Sequence, residues 1–252
     1  MNNQTKQTLS KVPEVTLAFW IIKIAATTLG ETGGDALSMS MNLGYLLSTG
    51  IFAALFAGAV VVQIIAKKFH PLIYWVTIIA TTTVGTTLAD FADRSLGIGY
   101  AGGATLLLAL LSLSLFLWHR TLGTISVESV STPKAEAFYW VTIMFSQTLG
   151  TALGDWTSDS AGMGYLGSAA LFGGALALLA LAFWKTTSSR TLLFWAAFIL
   201  TRPLGAVLGD FLDKPHDHGG LALSRYAATG VLLLLMAVGI KCFPQRAARN
   251  GH

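Results

Sequence analysis

Four tryptophans in this chain are each followed by a glycine ten residues later and an aspartate fifteen residues later. The sets are Trp20/Gly30/Asp35, Trp75/Gly85/Asp90, Trp140/Gly150/Asp155 and Trp195/Gly205/Asp210. Two fixed offsets recurring four times define a tandem repeat, and units of this size bury their apolar faces by packing on one another. The tryptophans are 55, 65 and 55 residues apart, and the longer middle step falls in the loop 122–137. A pseudo-twofold pairing of repeats 1–2 with repeats 3–4 follows from this spacing, with a looser pseudo-fourfold beneath it.

The solvent these repeats face is set by composition. Hydrophobic residues make up 54% of the chain and charged ones 11%, with a mean hydropathy of +0.64, outside the range of soluble domains. Eight apolar runs lie at roughly 15–35, 43–66, 71–90, 97–118, 136–155, 162–184, 191–210 and 221–243. Each approaches the ~20 residues a helix needs to cross hydrocarbon. The prediction is an all-α polytopic membrane protein: a single membrane domain over 1–252, with eight transmembrane helices from four two-helix repeats at 15–66, 71–119, 136–184 and 191–243. Two helices per repeat make successive repeats enter the bilayer in the same direction, so the repeats are parallel about an axis along the membrane normal.

Orientation follows from basic residues. Lys6, Lys11, Lys67, Lys68, Arg120, Lys134, Lys185, Arg190, Lys241, Arg246 and Arg249 fall on one side of the eight-helix arrangement; Arg94, Lys214 and Arg225 fall on the other. The positive-inside rule puts both termini in the cytoplasm and the chain in the inner membrane as a multi-pass protein. The net charge of +4 is then a topology signal and not a nucleic-acid footprint. The polar first dozen residues precede an apolar run with no small-residue cleavage site, so no removable signal peptide is expected. Cys242 is the single cysteine, which excludes an intrachain disulfide and a cysteine-based metal site.

The odd-numbered helices carry the chemistry. At 100° per residue, offsets 0, 7, 11, 15 and 18 from the tryptophan lie within about 80° of one another. The resulting stripes are Trp20, Thr27, Glu31, Asp35 and Ser38; Trp75, Thr82, Thr86, Asp90 and Asp93; Trp140, Gln147, Thr151, Asp155 and Ser158; and Trp195, Arg202, Ala206, Asp210 and Asp213. A polar stripe at membrane depth must face the bundle interior or a wet cavity. Beside it runs a small-xxx-small stripe, Gly30/Gly34, Gly85/Ala89, Gly150/Gly154 and Gly205/Gly209, suited to close helix packing. Four odd helices packed around an interior, with the even helices outside or between them, is the arrangement this predicts.

With the tryptophans at the cytoplasmic interface, the motif aspartates sit about 22 Å along the helix, toward the outer boundary. One reading makes them helix ends bathed by outer-surface water, with Asp93 and Asp213 in ordinary turns. The other makes Asp35, Asp90, Asp155 and Asp210 a ring whose mutual repulsion calls for a compensating cation or proton. Carboxylate and hydroxyl oxygens suit Mn²⁺, Mg²⁺ or Ca²⁺, and Zn²⁺ is a further candidate. Glu31, one turn deeper, joins the four aspartates as a metal ligand, and Thr27, Thr82 and Gln147 extend the substrate-binding set inward. Arg202 sits near mid-membrane as a salt-bridge partner of Glu31, a competitor of the bound cation, or the receptor of an anionic solute. Pro203 beside it removes a helix donor and predicts a kink. Lys23 is expected to snorkel to the interface. His216-Asp217-His218 reads as a solvated loop or a weak metal motif, and Tyr45, Tyr100, Tyr165 and Tyr226 as interfacial or packing residues.

A tandem two-helix unit with a tryptophan, occurring four times, resembles a family of bacterial integral membrane proteins built from four repeats of unknown function. That resemblance implies fold and compartment and no activity. The stretch Gly30–Asp35 (GETGGD) is also similar to the Glu-x-Gly-Asp signature of cation/proton exchangers, with one extra residue between Glu and Asp and no Lys/Arg-Ser/Thr after Asp35. The leading expectation is a non-enzymatic transporter or exporter of a small divalent cation with protons as counter-ion, in contact with the lipid bilayer and able to form homo-oligomers. The alternatives are a transporter or channel for a small organic or anionic solute using Arg202, and a non-transporting scaffold or sensor. An intramembrane aspartyl protease fits poorly, since four equivalent aspartates suit a ring better than a catalytic dyad.

Overall fold

The computed structural model describes residues 10–248. Its long helices are α1 (Leu17–Asp35), α2 (Gly44–Ile65), α3 (Pro71–Asp90), α4 (Tyr100–Leu122), α5 (Pro133–Asp155), α6 (Gly164–Lys185), α7 (Arg190–Asp213) and α8 (Arg225–Cys242), giving an all-α architecture of four helix pairs. Local signals start the inner helices. Thr16, Thr132 and Ser189 accept backbone N–H bonds at the N-caps of α1, α5 and α7, and proline opens α3 and α5. In repeats 1–3 the motif aspartate ends the α-helix, and a five-residue π-helical turn follows it (36–40, 91–95, 156–160).

Helices α1, α3, α5 and α7 form a closed square in which each packs on the next and α7 returns to α1. The small-residue stripe sets their spacing by one rule. A methyl group added at Gly30 would meet Thr82; at Gly85, Gln147; at Gly150, Arg202; and at Gly205, Thr27. Each motif glycine therefore lies against offset 7 of the following repeat. One turn on, Gly34 faces Thr86, Gly154 faces Ala206 and Gly209 faces Glu31. Contacts that rise together along both helices mean that the four run parallel.

The outer helices close the ring a second time. Helix α2 packs on α3, α4 on α5, α6 on α7 and α8 on α1, so each even helix covers the odd helix of the next repeat. The order is fourfold and cyclic; the pseudo-twofold read from loop length is not what organises the packing. The outer faces of the even helices are apolar and bare: Leu46, Leu178, Trp184 and Leu234 are at least 65% exposed, while Thr82, Thr86, Gln147 and Arg202 inside are fully buried. Apolar-out, polar-in is the reverse of a water-soluble bundle. Six helices, α2, α3, α4, α6, α7 and α8, are long and apolar enough to cross a membrane. Helices α1 and α5 are not among the six: α1 carries Lys23, Glu31 and Asp35, and α5 is diluted by polar residues such as Thr142, Ser146, Gln147 and Thr148.

The tryptophans depart from the expected interfacial belt. Trp75, Trp140 and Trp195 are buried, and with Phe19, Tyr74, Tyr139, Phe194, Phe198 and Trp118 they make an aromatic floor across the bundle. Tyr74 and Tyr139 share a hydroxyl–hydroxyl bond of 2.7 Å within it. The reason lies one residue upstream: an aromatic ring precedes every motif tryptophan and packs against it or its neighbour. Lys11, expected as a loop marker, is also buried. It bonds the carbonyls of Gln63 and Ile64 at the end of α2 and pairs with Glu136 at 2.6 Å. Backbone bonds from Ser10 and Glu14 to Ala248 and Arg246 tie the two terminal segments together beneath the floor.

Candidate functional site

Above the aromatic floor the interior is polar and layered by motif offset. The lowest layer holds Thr27, Thr82, Gln147 and Arg202, all buried. Arg202 does not stay in it. The offset-11 layer consists of Glu31, Thr86 and Thr151, with the small Ala206 in the fourth place. The Arg202 side chain reaches that layer, and its Nη2 donates to Glu31 Oε2 at 2.9 Å, Thr86 Oγ1 at 2.6 Å and Thr151 Oγ1. Three helices are thus joined to the fourth through one guanidinium, whose planar fork is suited to several oxygens at once.

The outermost layer carries the four motif aspartates, all buried. They do not form one symmetric ring. Arg94 spans Asp90 (3.0 Å) and Asp155 (3.6 Å), while Lys214 spans Asp35 (2.7 Å) and Asp210 (3.0 Å). Arg225 adds Asp213 at 2.9 Å and lies 3.8 Å from Asp35. Arg94 and Lys214 each stand four residues after a motif aspartate, in repeats 2 and 4; Met39 and Asp159 occupy that place in repeats 1 and 3. The twofold relation absent from the helix packing is therefore present in the charges. Burial opposes the Lys214 ammonium, but the carboxylates of Asp210, Asp35 and Asp213 together raise its pKa above the ordinary lysine value.

Two acidic triads converge within this frame. One carboxylate oxygen each from Glu31, Asp155 and Asp210 lie within 4.8 Å of one another, and so do those of Asp35, Asp210 and Asp213. Of the residues expected to bind metal, Asp90 joins neither triad and is held by Arg94 instead. Of those expected to extend the site inward, Thr27, Thr82 and Gln147 lie in the layer below, and Thr27 Oγ1 is spent on the backbone of Lys23, Ile24 and Thr201. Asp213, on the repeat-4 stripe but under one reading an ordinary turn residue, is a member of the second triad. It was legible in part, since offset 18 returns to the direction of the tryptophan.

Three further placements differ from expectation. The motif aspartates end α-helices in repeats 1–3 as the bland reading held, yet they are buried and ion-paired, not bathed by solvent. Lys23 does not snorkel: it is fully buried, its Nζ 3.4 Å from Thr201 Oγ1 and 3.9 Å from the Phe198 ring centre. Offset 3 points about 60° from the tryptophan direction, so Lys23 lies on the inner face. The basic residues expected as outer-loop markers, Arg94, Lys214 and Arg225, are the counter-ions of the aspartates. His216–His218 forms an exposed 3₁₀ turn outside both triads. Among the tyrosines, Tyr45 accepts from Arg94 at 3.4 Å and Tyr100 donates to Asp159 at 3.5 Å, each reaching the fourth residue past the next repeat's aspartate.

No curated protein and no solved structure matches this chain. A family model described as a repeat of unknown function, DUF347, matches four consecutive stretches, residues 18–69, 73–124, 138–189 and 193–246. Each stretch holds one odd helix and the even helix after it, the unit from which the square is built. The chain accordingly belongs to the DUF347 repeat family.

Proposed function

We propose that this protein is a multi-pass carrier of a small divalent cation in the inner membrane, with all eight helices spanning the bilayer and both termini in the cytoplasm. The observation that carries this reading is the convergence of Glu31, Asp155 and Asp210 from three helices on a buried point. Charge supports it. Glu31, Asp35, Asp90, Asp155, Asp210 and Asp213 face Arg94, Arg202, Lys214 and Arg225, two fewer cations than carboxylates. In a low-dielectric interior that surplus must be met by a divalent cation or by protons. Replacement of one by the other is the coupling a proton-driven exporter uses.

Oxygen ligands alone suit Mn²⁺, Mg²⁺ or Ca²⁺ better than a soft metal. The aromatic floor closes the opposite end, so in this conformation the triad is approached from the Asp90/Asp210 end, between the Arg94 and Lys214 clamps. Arg202 supports the cation reading over an anionic-solute reading: its Nη2 is already engaged by Glu31, Thr86 and Thr151. It neutralises Glu31 and caps the site from below. The test is calorimetric titration of the purified protein with Mn²⁺. One saturable site that Asp155→Asn removes is the expected result; no Mn²⁺, Mg²⁺ or Ca²⁺ binding to folded protein overturns the reading.

A further inference from the structure

Below Arg202 the interior changes sign. Lys23 is fully buried, and among the described residues no carboxylate lies within ion-pair distance of it; its contacts are the Thr201 hydroxyl and the face of Phe198. The nearest acidic side chain along its own helix, Glu31, is held by Arg202 at 2.9 Å. A cation–π contact and one long hydroxyl bond do not replace the hydration of an ammonium. An ammonium held at this position calls for a counter-charge.

The same region holds several idle polar atoms. Gln147 is fully buried with neither its amide nitrogen nor its amide oxygen bonded, and Thr82 Oγ1 and Arg202 Nε are also without partners. These three, with Thr27, are the offset-7 residues of the four parallel helices, and each packs against a motif glycine of the preceding repeat, so they lie in one layer. Lys23 is one turn below, on the inner face of α1. Buried polar groups in native proteins are satisfied almost without exception, and several orphans in one layer call for a partner. Three of the four groups offered, the Lys23 ammonium, the Arg202 Nε–H and the Gln147 amide, are donors, and the Thr82 hydroxyl can donate.

We infer that Lys23, Arg202, Gln147 and Thr82 form a binding site for one small monovalent anion of halide size, on the bundle axis between the aromatic floor and the acidic triad. Monovalence follows from charge: Glu31 already answers Arg202, so a single protonated Lys23 is balanced by one negative charge. Small size follows from the close helix packing enforced by Gly85 and Gly150. The anion is a resident counter-ion, and the site does not depend on cation transport by the layer above.

The experiment is anomalous diffraction from crystals grown in bromide, paired with thermal unfolding in chloride, bromide or gluconate at constant ionic strength. A bromide peak beside Lys23 is expected. So is a melting temperature raised by ~5 °C in halide over gluconate. Lys23→Met should abolish that halide increment, and Asp155→Asn should keep it. Gln147→Leu, which retains the charge, should weaken halide binding by ~10-fold and serves if the Lys23 variant fails to fold. Absence of the peak together with equal melting in halide and gluconate overturns the site, as does a halide increment that survives Lys23→Met or, where that variant cannot be made, Gln147→Leu.

Discussion

Arg202 and Glu31 are the residues on which the interior most depends, because each would be an uncompensated buried charge without the other. Removing one partner of such a pair costs about 3–5 kcal/mol, whereas replacing both with apolar groups is often near neutral. Glu31→Gln and Arg202→Met should therefore each lower thermal stability in detergent strongly, and the double variant should recover much of the loss. Independent, additive losses would mean that the pair is not the contact described. The clamps make a second prediction. Arg94→Gln releases Asp90 and Asp155 from their shared cation and should tighten divalent-cation binding by ~10-fold in a titration, about 1.4 kcal/mol; weaker binding would show that Arg94 organises the site instead of competing for it. At this scale the stripe of polar residues was readable from helical periodicity. The partner of each charge was not, since Arg94, Lys214 and Arg225 meet their carboxylates across helices, and only the basic residue four places past the aspartate in repeats 2 and 4 hinted at it.

Helices approach one another here through glycine, and the contacts rank the glycines. A methyl group at Gly85 would stand 2.9 Å from the carbonyl carbon of Gln147, a backbone atom that cannot swing away. At Gly33 the nearest atom is the Thr229 methyl at 3.9 Å. Gly85→Ala should cost about 1–3 kcal/mol through overpacking, while Gly33→Ala should be neutral or raise stability by about 0.5–1 kcal/mol through helix propensity. Comparable melting of the two variants would contradict the register proposed for α3 and α5. The small-xxx-small stripe made close packing legible without saying which helix faces which. That each even helix covers the following repeat's odd helix is a property of the closed ring, and no local signal in the chain carries it. The tryptophans were read on the inward stripe but at the interface, and their burial in a floor was missed for a related reason: an aromatic residue suits either a lipid interface or a core, and the decision rests with neighbours such as Trp118, which reaches the floor from α4.

As a whole the molecule is a square of four parallel helices wrapped by four others, polar within and apolar without. The membrane-like composition, the eight long helices and the repeat number were legible because they rest on composition and periodicity; the sequence of polar layers along the axis, acidic above Arg202 and with Lys23 below it, was not, because it depends on where Lys23 lies. Orientation is testable on the native chain. Cys242 is its single cysteine and is exposed at the end of α8, so a membrane-impermeant maleimide should label it in inverted vesicles and leave it unlabelled in intact cells. The reverse pattern would place the acidic layer on the cytoplasmic side. Carriage of a divalent cation across the bilayer by the acidic layer is measurable as flux into proteoliposomes. With Mn²⁺, Mg²⁺, Ca²⁺ and Zn²⁺ offered in turn, with and without a pH gradient, flux that the gradient drives and that Asp155→Asn abolishes is the expected result. Absence of flux for every cation from a folded native protein, or flux indifferent to Asp155→Asn, would contradict it.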